Sequence, residues 1–169
     1  DDTLAQAAST AAANAQSSAN TANALLYDIS NDNKFTPTEK QTTKKEWDVI
    51  VSEKGKIDAQ GDAFSVGHTV YDNAYTALSG YITPLLANLT TTSDINGSDF
   101  RANFKTYYDA RTDLLNAISA KAKTIADSAQ NTANQGVANA AAALAEAQSK
   151  LAAGQAAADI NNNTTTING

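Results

Sequence analysis

Asp28-Ile29-Ser30-Asn31-Asp32-Asn33-Lys34-Phe35-Thr36-Pro37-Thr38-Glu39 is the stretch on which the reading of the chain turns. Before it, from Thr3 to Tyr27, lies an alanine-rich tract without a single charged residue. After it comes sequence with enough bulky side chains to build a core. The stretch reads as a joint, with one helix ending near Tyr27 and another beginning near Pro37. Thr36-Pro37-Thr38-Glu39 is a capping box with proline at the first helical position, and the Asp, Asn and Ser before it are turn formers.

The same residues carry the oxygen spacing of an EF-hand loop. Asp28 falls at position 1, Ser30 at 3, Asp32 at 5, Lys34 at 7 through its backbone carbonyl, Thr36 at 9 and Glu39 at 12, with apolar Phe35 at 8. A hard cation such as calcium takes about six to eight oxygens at short range, and alternate residues of a tight loop can converge on it. Asn33 stands where the sharp turn favours Gly, Ser30 is neutral, and no second loop of this spacing occurs in the chain. A calcium site here would therefore be weak, of the millimolar extracellular kind. Two readings stay open: a capped turn alone, or a capped turn that holds calcium.

The chain has 169 residues and is 42% apolar, but much of that fraction is alanine and the large side chains gather in the middle third. A net charge of −6 and a pI near 4.6 leave no basic stripe to displace counterions from phosphate, which argues against DNA or RNA as partners. There is no Cys, hence no disulfide or thiolate chemistry. The absence of Met from a chain opening Asp1-Asp2 reads as a processed product or a fragment of something longer. No apolar run approaches the roughly 18 residues a membrane span needs.

Catalysis finds little support. His68 is the only His, in a Gly-His-Thr loop where helix capping or exposure explains it, and a cluster of histidines on a metal is excluded by count. Glu46/Asp48 and Asp109/Asp113 are spaced as solvated faces, and Tyr71, Tyr75, Tyr81, Tyr107 and Tyr108 recur at helical spacing, as core residues do. No catalytic residues are expected.

Periodicity supplies the helices. In the N-terminal tract Leu4, Ala8, Ala11, Ala15, Ser18, Ala22, Leu25 and Ile29 form a 4-3 seam of small side chains, which buries little area per turn and needs a partner helix. From Pro37 to about Gln60, Trp47, Ile50, Val51, Lys54 and Ile57 share a face, with Lys40, Lys44, Lys45, Glu46 and Asp48 mostly opposite. Gly61 to Gly67 reads as a loop with Phe64 and Val66 turned inward. Thr69 to Asp72 offers a cap to a helix bearing Val70, Ala74, Ala77, Leu78 and Tyr81, which Pro84 ends or kinks. The last helix opens at Ser98-Asp99, carries Phe100, Phe104, Tyr107, Arg111, Leu114, Ile118 and Ile125 on one face, and continues through Ala129, Ala133, Val137, Ala140, Leu144, Ala147 and Leu151. Trp47, Ile50, Ile57, Leu78, Phe100, Phe104, Leu114 and Ile118 are the expected core.

The expected fold is all-α: a three-helix head, four-helix and up-down with the N-terminal helix, on a long alanine-rich coiled-coil-like stalk. The expected segments are a stalk helix at 1–27, the head at 28–120, a stalk helix at 121–158 continuing the last head helix, and a polar connector at 159–169. Both ends share an Ala/Asn/Gln/Thr composition, so residues 5–24 are expected to pair antiparallel with about 126–147.

The run from Asp28 to Lys40, together with Lys45-Glu46-Trp47, Ile57-Asp58-Ala59-Gln60, Ala74-Tyr75-Thr76-Ala77-Leu78, Tyr81-Ile82-Thr83-Pro84-Leu85-Leu86 and Tyr108-Asp109-Ala110-Arg111-Thr112-Asp113-Leu114-Leu115, resembles a helical module of bacteriophage tail fibre and tail-tip proteins. The resemblance covers roughly residues 25 to 135. The flanking alanine tracts, and the closing Thr164-Thr165-Thr166-Ile167-Asn168-Gly169, resemble the connectors of such proteins, the latter leading into a β-rich segment. The resemblance implies a non-enzymatic structural segment of the extracellular virion, serving as spacer, oligomerisation element or protruding head in host attachment. It also implies homotrimeric self-association, other tail proteins as partners and a host-surface receptor; the charge and the lack of a long apolar run leave no nucleic acid and no membrane insertion expected. The alternative is a calcium-dependent glycan- or protein-binding module of a phage or bacterial surface protein.

Overall fold

A computed structural model describes residues 2–168. Asp1 and Gly169, the outer bounds of the expected first and last segments, lie outside the described residues. The order of elements is α1 (Asp2–Ser30), β1 (Lys34–Phe35), α2 (Pro37–Ala63), α3 (Thr69–Leu86), β2 (Ser93–Asp94) and α4 (Gly97–Asn168). The fold is all-α, as the periodicity predicts; the two strands form one short antiparallel pair with Lys34 opposite Asp94 and Phe35 opposite Ser93. No described helix is long and apolar enough to cross a membrane.

The described residues fall into two compact units, 2–126 and 127–168. In the first unit α1 is part of the head: its seam shares one apolar cluster with Trp47, Tyr71, Phe100 and Ile118. The seam consists of Ala8, Ala12, Ala15, Ala19, Ala22, Leu26 and Ile29. Ala12, Ala19 and Leu26 replace the expected Ala11, Ser18 and Leu25, and Leu4 is exposed. This phase keeps the Ser18 hydroxyl in water and leaves only alanine along most of the contact, so backbones can approach closely.

The expected pairing of residues 5–24 with 126–147 is displaced. An Arg101 guanidinium N–H donates to Ser30 Oγ at 3.0 Å, and the group lies 5.0 Å over the Tyr27 ring, so the end of α1 meets the start of α4. From that corner α1 runs antiparallel to residues 97–126, and Ala126 is the last buried residue of α4. Similar composition at the two ends suggested a register that the joint overrides. In the second unit residues 127–168 are helical and exposed throughout, including 159–168, where the sequence suggested a connector.

All eight expected core residues are buried. On α2 Lys40 and Thr43 join them and Val51 faces out, because the buried positions 40, 43, 47, 50 and 57 continue one 4-3 series. The Lys40 ammonium, on a residue only 1% exposed, donates to the Asn88 carbonyl at 2.9 Å and lies 5.9 Å from the Phe35 ring. On α3 the buried face is Tyr71, Ala74, Leu78 and Ile82: Ala74 and Leu78 are as expected, Tyr71 and Ile82 take the places of Val70 and Tyr81, and Val70 is 74% exposed. Tyr71 and Tyr107 share a hydroxyl–hydroxyl hydrogen bond of 3.1 Å; burial pushes both phenols up. Pro84 lies in the last turn of α3, two residues before its end. On α4 Ile125 faces out, and Arg111 grips Glu53 of α2 with two N–H donors at 2.8 and 3.2 Å.

Candidate functional site

The joint after α1 is held by hydrogen bonds from both sides. Thr36 Oγ1 accepts from the Glu39 N–H at 3.3 Å and Glu39 Oε1 accepts from the Thr36 N–H at 3.0 Å, the reciprocal capping box read from the sequence. Asn33, at φ 58°, takes the left-handed conformation that asparagine tolerates better than most residues. Its Oδ1 accepts from the Gly97 N–H at 2.9 Å, and its carbonyl accepts from Ile95 N–H at 3.0 Å. Asp32 Oδ1 accepts from the Lys34 N–H at 2.9 Å, and the Lys34 ammonium pairs with Asp94. Ser30, fully buried, donates to the Leu26 carbonyl at 2.7 Å while accepting from Arg101.

The six loop positions are thus divided among separate tasks. Ser30 is turned to α4, Thr36 and Glu39 close the cap of α2, Asp32 closes the turn, Lys34 enters the ladder and Asp28 stands exposed. Asp28, Asp32 and Glu39 do not bring their carboxylates together: among the described residues, one group of three His or acidic side chains has its ligand atoms within 4.8 Å, and it lies elsewhere. The ladder through Lys34 and Phe35 does join this loop to a second interhelical loop, residues 87–96, which has no matching oxygen spacing.

That group is Asp58, His68 and Asp72, at the opposite end of α2. Asp58 and Asp62 lie one turn apart near the end of α2; His68 precedes α3 and Asp72 follows one turn in. The connecting turn brings them face to face, with Ser65 at φ 56° and Gly61 packed so tightly that a Cβ there would meet the Val66 carbonyl at 3.1 Å and His68 Cδ2 at 3.4 Å. His68 Nδ1 is 2.7 Å from Asp72 Oδ2 and 3.4 Å from Asp58 Oδ1, and Nε2 is 3.1 Å from Asp62 Oδ1. The Lys54 ammonium bridges Asp58 and Asp72, at 2.7 Å from the latter, above the rings of Tyr71 and Tyr75. The hydrogen bond to Asp72 raises the His68 imidazole above its ordinary range against the pull of burial. Burial alone would lower Lys54 and raise Asp72, but their mutual hydrogen bond and the neighbouring carboxylates and imidazole reverse both.

Counting histidines missed this cluster, because a single imidazole with carboxylates suffices for a mixed site. The signal was present in the two i,i+4 pairs, Asp58/Asp62 and His68/Asp72, flanking one short turn. The carboxylates Asp48 and Asp109 pair with Lys44 and Lys105 one turn away on exposed faces, as the spacing suggests. A cleft of about 410 Å³ between α1, α2 and α4 is lined by Ser18, Thr21, Glu46, Glu53, Tyr108 and Arg111, with Glu46 accepting from the Tyr108 hydroxyl at 3.3 Å.

No protein-family model matches the chain, and no solved structure matches it. A tail fiber protein of Enterococcus phage phiEF24C is 45% identical over 109 residues, which is 64% of this chain. The chain spans 6% of that protein's length. Over those residues the chain is similar to a segment of a phage tail fiber protein, the resemblance its own sequence implies.

Proposed function

We propose that the chain is a non-enzymatic structural segment of a phage tail fibre, a virion component. In this reading residues 2–126 form a compact head, and residues 127–168 bind two further copies of the chain in a parallel homotrimer that serves host attachment. The observation that carries the reading is the unpartnered seam of α4. Val137, Leu144 and Leu151 recur every seven residues, with Ala133 before them and Ala140 and Ala147 between them in 4-3 spacing, and the three large residues are 71%, 59% and 75% exposed. A heptad seam of this kind buries its apolar residues against copies of itself, and the 45% identity to a tail fiber protein supplies the context. Sedimentation analysis of the full chain is expected to give the mass of three chains. The triple substitution Val137→Asp, Leu144→Asp, Leu151→Asp is expected to give one chain with the head still folded. A wild-type chain that stays monomeric at high micromolar concentration rules the reading out.

The second reading, a calcium-dependent binding module, draws on the ladder that links the position-8 residue Phe35 to a second loop, as paired calcium loops are linked. It requires Glu39 to leave its cap and Ser30 to leave Arg101. With those bonds in place, the melting temperature in millimolar calcium is expected to equal that in EDTA. A rise in calcium that Asp28→Ala removes would favour the second reading.

A further inference from the structure

The turn between α2 and α3 gathers the chain's only imidazole and three carboxylates into one corner. We propose that Asp58 Oδ1, His68 Nδ1 and Asp72 Oδ2 form a binding site for one borderline divalent cation of the zinc class, with water completing the shell. Asp58 Oδ1 is closed off from solvent and accepts no hydrogen bond, although its carboxylate is part of a crowded charged cluster. An inward-facing carboxylate oxygen without a donor is costly, and a cation is the group that would satisfy it.

One of the two distances to His68 Nδ1 fits such an ion as it stands, and the other has to open on binding. Zinc holds N and O ligands at about 2.0–2.2 Å, so neighbouring donors in a tetrahedral shell lie roughly 3.4 Å apart. Asp58 Oδ1 and His68 Nδ1 are 3.4 Å apart already. His68 Nδ1 and Asp72 Oδ2, at 2.7 Å, share the position of the Nδ1 proton that the ion would displace. The surrounding groups leave these atoms free. Lys54 takes the other oxygen of each carboxylate, Asp58 Oδ2 and Asp72 Oδ1. Asp62 Oδ1 stands at His68 Nε2, where it accepts the Nε2 proton and leaves the Nδ1 lone pair for the metal, the usual way a carboxylate orients a ligating imidazole. One nitrogen and two carboxylate oxygens suit zinc and its neighbours better than calcium, which takes an all-oxygen shell. The Lys54 ammonium beside the site opposes the added charge and keeps the affinity modest. Bound there, the ion would staple the end of α2 to the start of α3.

The test uses the full chain and zinc chloride after exhaustive EDTA treatment. A single His makes the readout unambiguous: long-range proton–nitrogen NMR is expected to show Nδ1 shifting on zinc addition while Nε2 keeps its proton. Calorimetry is expected to give one zinc per chain, with affinity falling at least tenfold in His68→Gln and in Asp72→Asn. Where His68→Gln fails to fold, Asp62→Asn takes its place and is expected to weaken binding while circular dichroism is unchanged. An Nδ1 resonance unmoved at saturating zinc, or zinc affinity unchanged in Asp72→Asn, would overturn the site and leave the cluster an ion-pair network.

Discussion

Trp47→Ala is expected to lower the unfolding free energy by about 3–5 kcal/mol, the range for deleting a large aromatic side chain from a packed core. Trp47 is 9% exposed and stacks on Tyr75 with ring centroids 5.4 Å apart and planes 23° from parallel. Tyr75 in turn contacts Tyr107, so the indole joins α2 to both α3 and α4. Removing it opens a void that helices pinned at both ends cannot close. Denaturant unfolding followed by circular dichroism measures the effect, and a loss below about 1 kcal/mol would mean that the ring contributes no packing.

Gly97→Ala is expected to destabilise the first unit by about 1–3 kcal/mol or more, through overpacking against backbone. A Cβ at Gly97 would stand 2.2 Å from the Ser30 carbonyl oxygen, 3.0 Å from Asn33 Oδ1 and 3.1 Å from Arg101 Nη1. The first of these is main chain and cannot rotate aside, so the start of α4 must move off the end of α1. The move breaks the Gly97 N–H bond to Asn33 and strains the ladder beside it. Gly136→Ala serves as the control: nothing lies within 4 Å of its Cβ position, and removing an exposed glycine from a helix interior stabilises by roughly 0.5–1 kcal/mol. Equal melting temperatures for the two variants would show that the corner tolerates the methyl group.

The helices, their order and the eight core residues were legible because they follow from periodicity and capping, which act over a few residues. The capping box at Thr36 and the stop at Pro84 belong to the same class. What escaped was set by contacts distant in sequence. On α1 Leu26 is fully buried while Leu25 packs at the edge of the core, and alanine periodicity alone fits either arrangement. Lys40 reads as a solvent-facing charge until its ammonium finds the Asn88 carbonyl, 48 residues on. The oxygens of Asp28, Ser30, Asp32, Thr36 and Glu39 match a spacing. Arg101 binds Ser30, the Thr36 and Lys34 N–H groups bind Glu39 and Asp32, and the ladder carries Lys34, contacts that the spacing cannot express. The His68 cluster depends on a tight turn that aims two helix ends at one point.

The corner where Ser30 meets Gly97 and Arg101 also decides how the first unit would bear mechanical load. α1 runs 29 residues back from that corner, and α4 runs a similar length to Ala126, so both cover roughly 43 Å at about 1.5 Å per residue. The outer parts of the two helices, near Ala8 and Ala122, share one buried apolar cluster, with the ladder at the far end. Such a unit is an excursion from the path of a polypeptide: it can be inserted into a longer chain without separating what flanks it. Tension applied at those two points would peel the alanine seam apart one contact at a time, at low force, and would reach the aromatic core only after the thin part had parted.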